Sequence, residues 1–377
     1  VMKQLTLLAL ASVLCLRASA ATSSAQLADA LRMLRAVGPE GQGNAAASAA
    51  WKDLSAADPK ALPTILAGMD GANEFTVNWL RAAVETIAAR ELAAGRSLPI
   101  AALEKFIQDT RHHPRARRLA YELVERADGP AARRMLAGML NDPSSELRRD
   151  AVQLVIDQAT GLRAAGQTNE AVPQYRAALQ SARDIDQVED LAKKLKELGA
   201  PVQLPAVFGW ISSWKVVGPF DSTGGAGFEK VYPPESGIDL KAEYDGKTGK
   251  VRWQEGRARG DYGLVDFNQP LGKLKGVAGY AYTEFSVDRG RPAELRLGCK
   301  NAWKIWLNGQ FIFGRDEYHR GIEIDQYQLK VDLKPGRNAL LVKLCQNEQV
   351  EDWTVEWEFQ LRITDSLGTP VSLAKTE

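Results

Sequence analysis

The sequence predicts a multidomain α plus β chain, an N-terminal α-solenoid followed by a C-terminal antiparallel β-sandwich, and three observations carry that prediction. From about Ala25 to Gly199 the chain is rich in Ala, Leu and Arg, with apolar residues at helical spacing and frequent short turn signals. After Gly199-Ala200-Pro201 and Pro205 the alanine-rich stripes stop, and Trp, Tyr, Phe, Val and Gly rise. The remainder alternates in short runs separated by Gly, Pro and Asn. These shifts assign 1–20 to a leader, 25–200 to helical repeats, 201–205 to a linker, 206–372 to the β domain and 373–377 to a tail.

The leader runs Met2-Lys3, an apolar stretch from Leu5 to Leu16, then Ala18-Ser19-Ala20. That order is a signal peptide with cleavage near Ala20, which predicts an exported protein, periplasmic or extracellular. No later segment has the apolar run that a membrane span needs. Cleavage removes Lys3 and Arg17, so the formal charge of +1 becomes −1. Charge therefore gives no reason to expect nucleic acid or an anionic membrane as partner. Cys299 and Cys345 remain, and an oxidising compartment opens a single disulfide between them. Strand alternation argues against it, because Cys299 shares a face with Leu295 and Leu297, whereas Cys345 lies opposite Leu340, Val342 and Leu344.

In the helical half, Asn141-Asp142-Pro143 is a turn that leads into a stripe of Leu147, Ala151, Leu154 and Val155. A related unit starts at Pro114 and continues through Leu119 and Leu123 to Pro130. Ala165 to Ala171 followed by Tyr175 and Leu179 sets small residues beside an aromatic knob. The first two units resemble HEAT repeats and the third a tetratricopeptide pair, which implies stacked helix pairs with a free ridge for a protein partner. His112 and His113 point to different sides of their turn and lack a third ligand at metal spacing, so they read as a helix start.

In the β half, Trp353 to Ile363 alternates with Trp353, Val355, Trp357, Phe359, Leu361 and Ile363 on one side, predicting a half-buried strand. Asn308-Gly309 joins a hairpin, and Leu333 to Asn338 turns into a strand over 339–344. Gly246-Lys247-Thr248 has only the tail of a phosphate loop and reads as a hairpin turn. Trp306-Leu307-Asn308-Gly309, then the Leu333 to Asn338 turn, then Lys343-Leu344 resemble the galactose-binding-like jelly roll. Trp214 to Asp221, Gly227-Phe228 and Val231 to Glu235 resemble its opening in exported bacterial proteins that also carry HEAT repeats. The resemblance implies architecture and no activity.

With His112, His113 and His319 as the only histidines and no Gly-x-Ser-x-Gly elbow, a nucleophilic triad has no motif, and zinc motifs are missing. No metal or other cofactor is expected; a structural calcium is open to acidic loops, without a motif behind it. The leading expectation is a non-catalytic binding or scaffold protein, the solenoid for a protein and the sandwich for a glycan or protein surface. The alternatives are a carbohydrate-active enzyme or its accessory subunit, using Asp261, Asp266 or Glu284, or a structural envelope component. Two strand-following loops supply the ligand candidates, Lys300, Asn301 and Trp303 from one and Gln346, Asn347 and Trp353 from the other. Amides suit sugar hydroxyls and an indole suits a pyranose face, but asparagine is favoured in turns and tryptophan in sandwich cores, so turn braces and core are the preferred reading of the same residues.

Overall fold

The computed structural model describes residues 24–375, so the leader expected over 1–20 lies outside the described residues. By compactness the chain divides between Ala151 and Val152 into two units. Helices fill the N-terminal half and antiparallel sheets the C-terminal half. Among the described residues no helix is long and apolar enough to cross a membrane.

The first unit holds α1 (Ser24–Arg35), α2 (Asn44–Ser55), α3 (Leu62–Ala67), α4 (Glu74–Ala93), α5 (Ile100–Gln108), α6 (Pro114–Ala127), α7 (Gly129–Leu136) and the start of α8 (Ser145–Ala164). Their starts follow from capping chemistry. Asn73 accepts the Thr76 N–H at 2.9 Å, Asp128 accepts that of Ala131 at 3.0 Å, and His113 accepts that of Arg115 at 3.2 Å with Pro114 opening the helix. Each helix then buries one stripe, in α4 Val77, Leu80, Val84 and Ile87, and each such side chain contributes about 1.5–3 kcal/mol on leaving water. In α8 the stripe is Leu147, Ala151, Val152 and Ile156, while the expected Leu154 and Val155 are only partly buried.

Arg117 is fully buried and grips Asp142 with both Nη atoms at 2.6 and 2.7 Å, while its Nε donates to the Ile107 carbonyl at 2.7 Å. Asp142 also accepts the Ser144 N–H at 2.8 Å. The pair ties the unit starting at Pro114 to the one starting at Pro143 through a bidentate buried ion pair in which each Arg117 nitrogen and both Asp142 oxygens are engaged. His112 stacks on Phe106 at 4.0 Å and meets Asp70 at 2.7 Å, so the paired histidines support a helix start.

The second unit contains the rest of α8, α9 (Thr168–Ser181), α10 (Ile185–Glu197), α11 (Leu204–Phe208) and every strand. The segment 201–205 is thus interior to this unit. Tyr262 Oη bonds the Glu189 carboxylate, Arg183 Nε donates to Thr369 Oγ1 at 3.3 Å, and Phe208 lies 5.7 Å from the Arg362 guanidinium. A fragment starting at Ser145 is expected to melt at least about 5 °C above one starting at Ala206, because the shorter one strips these helices from the sheets. Equal melting of the two would contradict the compact division.

The strands are β1 (Ser213–Asp221), β2 (Glu243–Asp245), β3 (Lys250–Arg252), β4 (Gln254–Arg257), β5 (Val265–Asp266), β6 (Val277–Val287), β7 (Arg291–Cys299), β8 (Ala302–Leu307), β9 (Gln310–Arg315), β10 (Tyr327–Leu333), β11 (Gly336–Gln346), β12 (Glu358–Thr364) and β13 (Ala374–Lys375). The largest sheet runs β4-β1-β6-β11-β8-β9 with β13 on β6, a second runs β10-β7-β12-β5 and faces it, and β2 pairs with β3 in a two-stranded ribbon. A single core lies between the two facing sheets, with Trp214, Ile305 and Val342 from the larger sheet and Leu297, Phe359 and Leu361 from the smaller among its members.

Turn chemistry sets the registers. Asn308 and Gly309 take φ of 53° and 79°, which is what a two-residue hairpin between β8 and β9 requires. Asn338 braces the turn into β11 by accepting from Lys334 N at 3.0 Å and donating to Lys334 O at 2.8 Å. Gly246-Lys247-Thr248 sits between β2 and β3, and Lys247 Nζ donates to the Gly276 carbonyl at 2.6 Å.

One expectation is corrected here. The strand expected from Trp353 begins at Glu358; Asp352–Thr354 is a 3-10 turn, and the side of β12 expected to be wet is buried too, at Gln360, Arg362 and Thr364. The disulfide open to Cys299 and Cys345 is absent, and both are free buried thiols. Cys299 points into the core between the sheets, whereas Cys345 belongs to a second cluster on the outer side of the larger sheet, with Phe220, Tyr232 and Tyr280. Burial pushes both thiols up to about 12. Thiol titration is expected to find both unreactive in the native chain and both reactive in denaturant; a bond resistant to denaturant alone would contradict this placement.

Candidate functional site

The two candidate loops meet at one end of the sheets. Asn301 Nδ2 lies 3.3 Å from Gln346 Oε1 and donates to the Glu356 carbonyl at 3.1 Å, and Asn301 Oδ1 accepts the Glu358 N–H at 3.2 Å. Gln346 Nε2 donates to the carbonyls of Thr354 and Glu356 at 2.9 and 3.2 Å. Both amides are buried, so their hydrogen-bonding capacity goes to holding the 347–357 loop rather than to a ligand. Trp303 is also buried, between the sheets, with the Tyr327 ring at 4.9 Å and Phe313 at 6.0 Å. Lys300 stands 3.5 Å from Glu356 and 3.8 Å from Glu358. These four candidates brace the loop and fill the core.

Asn347 and Trp353 are different. Trp353 is 59% exposed, and Val350 and Val355 beside it are exposed too. Large apolar side chains gathered at a loop tip are the kind of surface that function retains. His319, which the sequence offered no reason to place here, completes the arrangement. Its ring stands edge-on to Trp353, with centroids 5.5 Å apart at 89°, and its Nε2 lies 2.7 Å from Asn347 Oδ1. His319 takes φ of 56°, an uncommon conformation for a residue with a side chain, and it belongs to the connection from β9 to β10. That connection is anchored farther on, where Asp325 bridges Arg296 and Arg362 at 2.7 and 2.8 Å and Gln360 Nε2 donates to the Glu323 carbonyl at 3.2 Å. A Cβ on Gly298 would stand 2.4 Å from that same carbonyl, so the close approach of the loop requires glycine.

The arrangement offers an exposed indole, an imidazole and an amide. It can receive a flat apolar face and hydrogen bonds from a polar ligand. The carboxylates considered for glycoside hydrolysis are engaged separately. Glu284, on β6, is held by Arg337 and Tyr282, and the Arg337 guanidinium keeps its carboxyl below the usual range. Asp266, on β5 of the other sheet, accepts the Asn268 N–H at 2.9 Å, and Asp261 is an exposed turn residue. Among the described residues no group of three or more His, Cys, Asp or Glu is placed to hold a metal ion.

No protein-family model matches the chain, and no curated protein matches it. Among solved structures it is similar to an anti-sigma factor domain-containing protein from Clostridium clariflavum, at 9% identity and a TM-score of 0.24, over 43% of this chain and 47% of that one. It is similar to a PA14 sugar-binding domain from an RTX adhesin at 12% identity and a TM-score of 0.25, over 44% and 96% of the two chains. A third likeness is to a beta-glucuronidase of an uncultured Clostridium species, at 14% identity and a TM-score of 0.25, over 42% and 29%. The chain thus spans about half the length of the first of these structures and less of the third. At such scores none of them bears on what this chain binds.

Proposed function

We propose that this is a non-catalytic, exported binding protein whose sheets present a saccharide-binding shelf formed by Trp353, His319 and Asn347. The observation that carries the reading is Trp353, an indole that the alternating pattern assigns to a core and that stands in solvent beside two hydrogen-bonding side chains. A pyranose ring would lay its C–H face on the indole and its hydroxyls toward His319 and the amide. In the same reading the sheets are a galactose-binding-like jelly roll and the helices a HEAT-like array open to a protein partner. The Arg117–Asp142 pair, which joins two successive units, supports the repeat reading. The leader sequence supports delivery to the periplasm or the medium.

A broad glycan-binding screen of the full chain tests the proposal. Binding to at least one saccharide class, lost on Trp353→Ala, is expected. Binding that survives Trp353→Ala would move the site elsewhere, and a blank screen would overturn the saccharide reading.

A further inference from the structure

The hydrogen-bonding polarity of the shelf can be read from one backbone group. The Gln349 N–H faces Asn347 at 3.2 Å, and because a backbone N–H can only donate, the atom it meets is the amide oxygen. The amide nitrogen is turned the other way and donates to Gln349 Oε1 at 2.9 Å. The same oxygen lies 2.7 Å from His319 Nε2, so in the neutral ring Nε2 carries the hydrogen and Nδ1 is left as an acceptor. Asn347 Oδ1 thus accepts from two groups inside the protein, and the pair leaves a ligand the His319 Nδ1 acceptor and the second Asn347 Nδ2 hydrogen.

The local charge is negative. Between Gln346 and Glu358 the chain carries Glu348, Glu351, Asp352, Glu356 and Glu358 and no basic residue. Lys300 faces Glu356 and Glu358, and Lys275 Nζ donates to Thr354 O at 2.8 Å beneath the loop. Glu348 accepts the Gly224 N–H at 2.6 Å. On the His319 side Arg315 and Arg320 both pair with Glu317, and Asp316 balances the remaining charge. Glu351 and Asp352 are exposed and immediately precede Trp353, and of the two Glu351 also feels the Lys275 ammonium. Being one and two residues from Trp353 in the chain, they add negative charge to the segment that carries the indole.

Resting on the saccharide reading, we infer that the shelf selects amino sugars, with neutral sugars weaker and uronic acids excluded. A protonated amine can donate to His319 Nδ1, is drawn by the carboxylates of Glu351 and Asp352, and is attracted to the indole face. A uronate's carboxylate has no donor to offer His319 Nδ1 and is repelled by the same carboxylates.

The test uses the full chain and matched oligosaccharides of gluco and galacto configuration, each as the amino, N-acetylated and uronic form, titrated calorimetrically at low and high salt. The expected order is amino, then N-acetylated, then uronate, with about a tenfold gap between the first two at low salt that narrows as salt rises. The double variant Glu351→Gln, Asp352→Asn is expected to close that gap and leave the N-acetylated affinity in place. Uronates binding as well as the amino form, or a gap unchanged in the double variant, would overturn the selectivity while the shelf reading stands. Failure of every oligosaccharide to bind would overturn both.

Discussion

Asp325→Asn is expected to cost about 3 kcal/mol or more of stability. Asp325 is largely buried between two guanidiniums, with Arg296 Nη1 at 2.7 Å and Arg362 Nε at 2.8 Å, and Arg362 is itself buried against Phe208 and Trp210. Asparagine keeps the shape and tolerates the φ of 59° at this position, so the loss isolates the charge. Arg296 retains Glu294 at 2.8 Å, whereas Arg362 is left without a carboxylate, with the Phe208 carbonyl at 3.2 Å and a neutral amide in place of its charged partner. For a unit of this size the shift is roughly 6–12 °C in Tm. Burial alone would raise the Asp325 carboxyl, but hydrogen bonds and charge from Arg362 and Arg296 outweigh it and hold the group below its usual value. A lowered folded value means that the stabilisation is complete above about pH 4, the unfolded value, and fades as pH falls through the folded one. The difference between wild type and Asp325→Asn in denaturant melts should therefore be flat at neutral pH and shrink in acid. A gap that grew in acid would contradict the ion-pair assignment.

Trp303→Ala is expected to cost about 3–5 kcal/mol, the range for emptying a buried aromatic site. The indole is 1% exposed and touches Tyr327 and Phe313, so its removal leaves a cavity between two sheets that are pinned by β11 on one side and β7 on the other. Trp353→Ala removes the same atoms from a side chain that is 59% exposed and is expected to change stability by no more than about 0.5 kcal/mol. Comparable losses from the two would contradict the burial assigned to them.

The contrast between these tryptophans marks what the sequence could and could not convey. Helices announced themselves by period and caps, and the β8–β9 hairpin by Asn308-Gly309, because those signals are local. The run from Trp353 to Trp357 also alternates, yet Thr354 captures the backbone first. Its N–H and Oγ1 reach the Glu351 carbonyl at 2.8 and 2.7 Å, its Oγ1 also reaches Gln349 O at 2.9 Å, and its own carbonyl takes Gln346 and Lys275. Side-chain hydrogen bonds of that kind override a two-residue period, and β5 pairs with β12 only at Glu358 and Phe359. The cysteine pair was legible, since alternation already set the two thiols on different faces. His319 was not, because its meeting with Asn347 depends on how the β9–β10 connection crosses the end of the sheets. Nor was the division inside α8 legible, for the alanine-rich helices on both sides of it read alike until their packing partners are known.

The central claim is that Trp353, His319 and Asn347 form a binding shelf while Asn301, close in space to the same loop, only supports it. The most direct measurement records ligand affinity and melting temperature in the same samples for Trp353→Ala, Asn347→Ala and Asn301→Ala, using whichever oligosaccharide binds the wild-type chain most tightly. Trp353→Ala and Asn347→Ala should each lose at least about tenfold in affinity with a nearly unchanged melt, and Asn301→Ala should lower the melt by several degrees because it removes the side-chain acceptor of the Glu358 N–H and one of the two donors to the Glu356 carbonyl. Full affinity in Trp353→Ala, or a collapse of its melting temperature, would contradict the account.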